Sequence, residues 1–318
     1  MSKKKKVVVI GGGHGQAAIC RGIKNIKHIN ISAIVTVADD GGSTGRLRRQ
    51  FHIPAMGDIR NVMLALAASE TMMTSLMNYR FDDPEGKEED IAGHNLGNLI
   101  LTALTQQCGS FLDAVQMAGK VLNVKGDIIP ATDQVIELYA RMDDDVIVRG
   151  EANIPNRSNR IRSVFYEEEV HADPDAVEAI LGANLVIYGI GSVYTSILPN
   201  IIIPEIQQAL KETSAKRVYF CNAMTQPGET DGYCLEDHVD ALIRHGAPVD
   251  AVVAADNPIP DEVLARYEEQ GSAPVYIRDT DHPYEMINED LLSINEEKKI
   301  RHDPLKIQNA VSRLLEAL

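Results

Sequence analysis

Val7-Val8-Val9-Ile10 runs without a break into Gly11-Gly12-Gly13-His14-Gly15, and Ile34-Val35-Thr36-Val37 runs into Ala38-Asp39-Asp40-Gly41-Gly42-Ser43-Thr44-Gly45-Arg46. Each apolar run suits a strand buried on both faces, and each ends in a glycine-dense loop carrying polar hooks. In an open parallel sheet, ligands bind in the crevice beyond the carboxyl ends of the strands. Glycine lets the backbone pass close to a phosphate, and a helix that starts just afterwards offers unpaired N–H groups and positive potential. The two stretches together predict an α/β frame with a nucleotide or phosphosugar pocket.

Outward from this pair, strand and helix signals alternate, as in βαβ units. The pattern predicts strands at 6–10, 31–37, 185–188, 218–221, 249–254 and 274–277. It predicts helices over 15–24, from Asp58 as N-cap, from Asn95, from Asp173-Pro174, from Pro204, over 235–243, and through the last fourteen residues. The stretch 81–90 is acidic, contains Pro84 and Gly86, and reads as an exposed loop. Residues 125–170 change character: apolar positions at 135–139 and 146–148 flank Asp143-Asp144-Asp145 as a hairpin, and 161–166 adds a strand. This is a small β-rich insertion.

The 318 residues carry a formal net charge of -15, which argues against nucleic acid as a partner. An anionic ligand must therefore be held by local donors. Lys3 to Lys6 before the first apolar run imitates a signal peptide, but Gly11 cuts the run off too early, and no stretch approaches the ~20 apolar residues of a membrane span. The lysines read as solvated residues ahead of a strand. Cys20, Cys108, Cys221 and Cys234 show neither C-x-x-C nor metal-like spacing and read as free thiols, mostly buried, in a reducing cytosol.

Gly11 to Gly15 is not G-x-G-x-x-G, which disfavours an NAD-dependent oxidoreductase. His14 either donates to a phosphate or caps a helix. Asp39 and Asp40 stand where doubly wound folds place an acid against a ribose hydroxyl; they can equally hold Mg²⁺ through water, or be solvated loop acids. Ser43, Thr44 and Arg46 follow at once, with Arg48 and Arg49 behind, as partners for phosphate or for neighbouring acids. Asn95 and Asn98 lie in the first turn of a helix, and Asn95 is a ligand contact or an ordinary N-cap. Gly189, Gly191, Ser192, Tyr194, Thr195 and Ser196 follow another apolar strand and suit a diphosphate, and Asn222 repeats the theme after the next. No P-loop, nucleophile elbow or zinc-protease motif is present, and no residue stands out as nucleophile or general base. The pocket is furnished for holding rather than converting.

The wording of five segments, Val7 to Gly15, Thr36 to Arg46, Gly57-Asp58-Ile59-Arg60-Asn61, His94-Asn95-Leu96-Gly97-Asn98 and Asn222 to Thr230, resembles the YvcK-type gluconeogenesis factor family, which is related to the CofD transferases of deazaflavin cofactor synthesis. The resemblance implies one Rossmann-like, three-layer α/β/α domain over 1–318, with a mainly parallel sheet and the insertion at about 125–170. It implies a non-catalytic cytoplasmic regulator of cell shape and envelope precursor supply during gluconeogenic growth. The implied ligand is a UDP-sugar, notably UDP-N-acetylglucosamine, and no cofactor is required. On this reading Tyr267 stacks on a uracil and Arg301, with His302, meets the diphosphate. A regulator of this kind needs a protein partner in envelope metabolism, and a homo-oligomer is compatible with it. The alternative is a CofD-like transferase with Mg²⁺ at Asp39 and Asp40. Gly13-His14, where that branch carries threonine, and the replacement of its Ser-Asn-Pro element by 191–196 weigh against it.

Overall fold

The computed structural model describes residues 4–69, 72–84, 86–87, 90–157, 159–279 and 281–318; Lys3, and Glu85, Glu88 and Glu89 of the acidic loop, lie outside the described residues. The chain forms strands β1 (Lys5–Gly11), β2 (Ile29–Val35), β3 (Asp127–Pro130), β4 (Tyr139–Met142), β5 (Ile147–Arg149) and β6 (Ile161–Phe165). It continues with β7 (Leu185–Gly189), β8 (Lys216–Phe220), β9 (Ala251–Ala255), β10 (Glu285–Glu289) and a closing hairpin of β11 (Leu292–Ile294) and β12 (Ile300–His302).

Seven strands make one sheet in the order β10-β9-β8-β7-β1-β2-β3, and every neighbouring pair is parallel. Its two central members, β1 and β7, are buried from Val7 to Gly11 and from Leu185 to Gly189, which is why their sequences read as unbroken apolar runs. From this centre the chain leaves in opposite directions, β1 toward β2 and β3, β7 toward β8, β9 and β10. A crevice opens at the strand ends where such a reversal occurs.

The helices are α1 (Gly13–Ile23), α2 (Gly42–Phe51), α3 (Gly57–Leu66), α4 (Met72–Asn78), α5 (Leu96–Cys108), α6 (Phe111–Val121), α7 (Pro174–Leu181), α8 (Leu198–Ile201), α9 (Pro204–Glu212), α10 (Leu235–Arg244), α11 (Asp261–Glu269) and α12 (Pro304–Glu316). Right-handed crossovers running in opposite directions place the two sets of helices on opposite faces. Accordingly α1 packs with α3 and α12, and α9 with α7 and α8. Buried Gln16 fastens the central ends: its Nε2 donates to Val9 O at 2.9 Å and Ile34 O at 2.8 Å. Among the described residues, no helix is long and apolar enough to cross a membrane.

The architecture matches the sequence reading, with local corrections. Residues 274–277 are not a strand: Pro274 makes only an isolated bridge with Met224, and the edge strand is β10, which has no fully buried position to betray it. The insertion begins later than 125, because 127–130 pairs with β2 in the main sheet. Its hairpin strands are β4 and β5 rather than 135–139 and 146–148, and β6 joins β4 from the other side. Asp58 is not an N-cap but sits in the first turn of α3, after Met56. Helix α2 starts inside the stretch read as loop, where Gly42 and Gly45 lower helix propensity. Helix α6, capped by Ser110, is an addition to the expected set.

Candidate functional site

The loops after β1, β2, β7 and β8 meet. Gly15, in the first turn of α1, lies against the β7 loop so closely that a Cβ there would be 2.0 Å from Ile190 O and 2.9 Å from Gly191 N. A Cβ on Gly12 would fall 2.4 Å from Asp58 Oδ2 and 2.6 Å from Thr36 Cγ2. One on Gly57 would fall 2.6 Å from Thr44 Oγ1 and 2.8 Å from Asp39 Oδ2. Asn222 clamps Gly191 from both sides, accepting from its N–H at 3.2 Å and donating to its carbonyl at 2.9 Å. Gly13 turns the chain into α1 at φ +61, a conformation that suits glycine. Gly12 supplies no side-chain cap to the N-terminus of α1, and the Gly13 N–H there is engaged by the Asp58 carboxylate.

Several predicted hooks hold the protein itself. Ser43 Oγ lies 3.0 Å from His94 Nδ1 and accepts from Asn95 N at 3.1 Å. Asn95 is the N-cap of α5, accepting from Asn98 N at 3.2 Å. Asn98 accepts from Arg60 Nη1 at 2.9 Å and donates weakly to Ser43 and Thr44. These side chains are buried and form a brace beneath the β2 loop. Arg46 grips the carbonyls of Ala92 and Asp90 at 2.7 and 2.6 Å. The Asp40 carboxylate receives the N–H groups of Glu151 and Ala152 at 3.1 and 2.8 Å, tying the insertion to the sheet.

The β7 loop is likewise engaged. Ser192 donates to buried Glu229, as does Thr195 at 3.0 Å, and Gln226 adds a third contact at 2.6 Å. Tyr194 is in the core, its hydroxyl 2.8 Å from that of Tyr233. Ser196 stays half-buried, its side chain beside Gly13 and Gly191. Tyr267 accepts from Ile300 N at 2.9 Å, so it secures the strand that carries Arg301.

What remains forms two electrostatic territories. The first is a cleft of about 990 Å³ between α1, α3, α4 and the closing hairpin. His14, Gly15, Arg21, Lys24, Asn61, Ile190 and Arg301 line it, and among the described residues no lining residue is a carboxylate. Burial lowers the His14 pKa, helped by the positive charges of Arg60, Arg301 and Arg21. Burial likewise brings His302, at the cleft wall, down to about 4.

The second territory is acidic. Burial, then the Asp39 charge, pushes Asp58 up to about 7, against the pull of the Gly13 N–H and Arg60. Glu151 rises to about 8 through burial and the charges of Asp39, Asp58, Asp40 and Glu229. Asp39 is raised mainly by burial, opposed by the Gly41 N–H and the Thr44 hydroxyl. Among the described residues, no three acidic, histidine or cysteine side chains are grouped to hold a metal, so a cation here would rest on Asp39 and Asp58 with water completing its shell.

The raised Asp58 pKa has a consequence for stability. Below pH ~4 the carboxyl is protonated in both folded and unfolded chains; between ~4 and ~7 only the unfolded chain ionises, so stability falls with rising pH and then stays flat. Asp58→Asn is therefore expected to raise the unfolding free energy by about 1–2 kcal/mol near pH 8 and by nothing near pH 4, read by urea denaturation.

Sequence reasoning missed Glu151 and Glu229, and took Asp58 only for a cap. Glu151 arrives on the short helix 151–156 of the insertion, and Glu229 sits beyond β8; neither position carries a spacing that foretells the encounter.

Residues 7–292 match the family described as 2-phospho-L-lactate transferase CofD. The gluconeogenesis factor of Bacillus subtilis (strain 168) is 42% identical over 321 aligned positions, covering 99% of each chain. The gluconeogenesis factor of Halalkalibacterium halodurans is 40% identical over 316 positions, 97% of this chain and 96% of the other. A crystal structure of a UPF0052 family protein from Bacillus halodurans superposes with a TM-score of 0.91 at 39% identity, covering 98% of this chain and all of that one.

Proposed function

Because the chain belongs to the CofD family, and within it to the gluconeogenesis factors, we propose that it is a UDP-sugar-binding regulator whose ligand is UDP-N-acetylglucosamine. Its place is the cytoplasm, where it acts through a protein partner on cell shape and envelope precursor supply during gluconeogenic growth. The observation that carries this reading is the cleft: a volume of about 990 Å³ lined by Arg21, Lys24 and Arg301 with no acid among the described residues, in a chain of net charge -15. That size suits a whole nucleotide sugar. The diphosphate lies toward the N-terminus of α1, His14 and Arg301, where N–H groups and guanidinium complement its charge. Asn61, Ser75 and Asn78 supply the neutral polar groups that read hydroxyls and amides.

Calorimetry with UDP-N-acetylglucosamine, UTP and NAD tests the assignment. Saturable binding of the sugar nucleotide is expected; binding of NAD alone rejects it. A second reading, Mg²⁺-dependent phosphoryl-group transfer, is favoured by Asp39 and Asp58, whose desolvated carboxylates match the oxygen preference of a hard cation. Mg²⁺ would supply charge neutralisation at a transferring phosphoryl group. Turnover of a nucleotide-activated donor that needs Mg²⁺ and disappears in Asp58→Asn would favour it over the regulator.

A further inference from the structure

Arg60 and Asn61 are neighbours near the start of α3, and of the two only Asn61 lines the cleft. Arg60 is 7% exposed, and its guanidinium is wedged between two carboxamides: Nη2 donates to Asn61 Oδ1 at 2.8 Å and Nη1 to Asn98 Oδ1 at 2.9 Å. Its stem passes so close to α5 that a Cβ on Gly97 would fall 2.8 Å from Arg60 Cδ. Burial, then the Arg80 charge, brings the Arg60 pKa down to about 10, so the group stays charged at neutral pH and can only donate. A carboxamide facing it must turn its oxygen inward. Asn98 obeys this rule and sends its Nδ2 away, to Ser43 Oγ at 3.3 Å and Thr44 Oγ1 at 3.4 Å. Asn61 obeys it too, but its Nδ2 has no partner among the described residues and is not sealed from water. Because Arg60 stands behind the cleft wall, the Asn61 oxygen points away from the cleft, and the N–H pair is the end left to it.

We propose that Arg60 is a positioning residue that locks the Asn61 carboxamide with its N–H pair toward the cleft, so that Asn61 donates to a ligand oxygen that can only accept: a phosphoryl oxygen or the carbonyl of an acylamino sugar. The proposal deepens the ligand reading above and rests on it. An unconstrained asparagine offers either end to a ligand and reads hydroxyls, amides and carbonyls alike. Here a flipped amide would set its N–H pair against the Arg60 donors and leave Nη2 unpaired in a buried place, so one polarity is strongly preferred. Arg21, Lys24 and Arg301 likewise only donate, and among the described residues no carboxylate lines the cleft. A wall of donors selects a ligand face made of acceptors. A hydroxyl set against Asn61 can accept, but its own proton then finds no carboxylate among the described lining residues to receive it.

The test is calorimetry on the full chain with UDP-N-acetylglucosamine, UDP-glucose and pyrophosphate. Asn61→Leu, which removes the donor without adding charge, is expected to weaken UDP-N-acetylglucosamine ~10-fold. Asn61→Asp keeps the oxygen that Arg60 holds, so its melting temperature is expected to match or exceed the parent's, yet it is expected to bind more weakly than Asn61→Leu. A merely structural Asn61 gives the opposite order, and Asn61→Asp binding like the parent overturns the proposal. The Asn61→Asp loss is expected to remain ~10-fold or more at about 1 M salt, where the screening length is ~3 Å; a loss that vanishes there is a distant field rather than a contact, and overturns it too. Arg60→Lys keeps the charge but not the planar fork, and is expected to weaken binding ~5-fold in the parent and not at all in Asn61→Leu. Equal losses in both backgrounds overturn the positioning role. In Asn61→Leu, equal losses for all three ligands assign the contact to a phosphoryl oxygen, and a loss confined to UDP-N-acetylglucosamine assigns it to the acylamino carbonyl. A loss shared by UDP-glucose but absent with pyrophosphate fits neither oxygen and overturns the proposal. Normal UDP-N-acetylglucosamine binding by Asn61→Leu overturns it while the ligand reading stands. If the parent binds pyrophosphate but not UDP-N-acetylglucosamine, the ligand reading fails, while a ~10-fold loss of pyrophosphate in Asn61→Leu upholds the donor.

Discussion

Gly15→Ala is expected to abolish UDP-N-acetylglucosamine binding and to lower the unfolding free energy by about 2–3 kcal/mol. The added Cβ would stand 2.0 Å from Ile190 O, 2.4 Å from Ile190 C and 2.9 Å from Gly191 N. All three are backbone atoms, and Asn222 pins Gly191 from both sides, so no flexible side chain can give way. The loops after β1 and β7 must then part, which spoils the N-terminus of α1 and the wall of the cleft in one step. Gly109→Ala is the control: unlike Gly15, Gly109 sits at positive φ, but a Cβ there meets nothing within 4 Å. It is expected to cost about 1 kcal/mol and leave binding intact. Urea denaturation and calorimetry on the two variants measure both effects. Normal binding by Gly15→Ala would show that the two loops need not touch.

That contact explains which parts of the site were legible in the sequence. β1 and β7 lie at the centre of the sheet, buried on both faces, so their apolar runs and terminal glycines announce them. β10 lies at the edge, where partial exposure permits Glu-Met-Ile-Asn-Glu and the periodic signal vanishes. The site divides in the same way. Glycine-dense strand ends predict a crevice, because close backbone approach leaves a compositional mark. Which polar side chains face the ligand leaves no such mark. Ser192 and Thr195 look like phosphate hooks until the fold brings Glu229 to them from beyond the next strand. Asp40 looks like half of a metal pair until the insertion delivers the N–H groups of Glu151 and Ala152 to its oxygens. Asp58 looks like a cap, and its partner Asp39 becomes visible only when Gly57 is seen wedged against that carboxylate. Long-range encounters of this kind depend on the packing of segments distant in sequence, which local pattern cannot carry.

The partition of charge within the crevice sets the second large expectation. Acids gather on the β2 side, at Asp39, Asp58 and Glu151; cations gather in the cleft, at Arg21, Lys24 and Arg301. Because the whole chain is strongly acidic, the local cations must overcome the global field, and removing one matters more than in a neutral protein. Arg301 is the most informative choice. It is exposed on β12, and the hydrogen bond from its Nη1 goes to the carbonyl of the preceding residue, Ile300, at 2.9 Å, so the fold does not depend on it. A charge-assisted hydrogen bond to phosphate contributes about 1.5–3 kcal/mol, or ~10–100-fold in affinity, and a reversed charge adds repulsion. Arg301→Glu is therefore expected to weaken UDP-N-acetylglucosamine binding at least ~100-fold without lowering the melting temperature. Lys299→Glu, on the same hairpin, is the control: Lys299 pairs with Glu297 at 2.7 Å and is not among the cleft-lining residues, so only a small, screened change is expected. Raising the salt concentration should weaken the parent more than Arg301→Glu, since part of the attraction being screened is then gone while Arg21 and Lys24 remain. Equal affinities for the parent and Arg301→Glu would remove the diphosphate from this cleft.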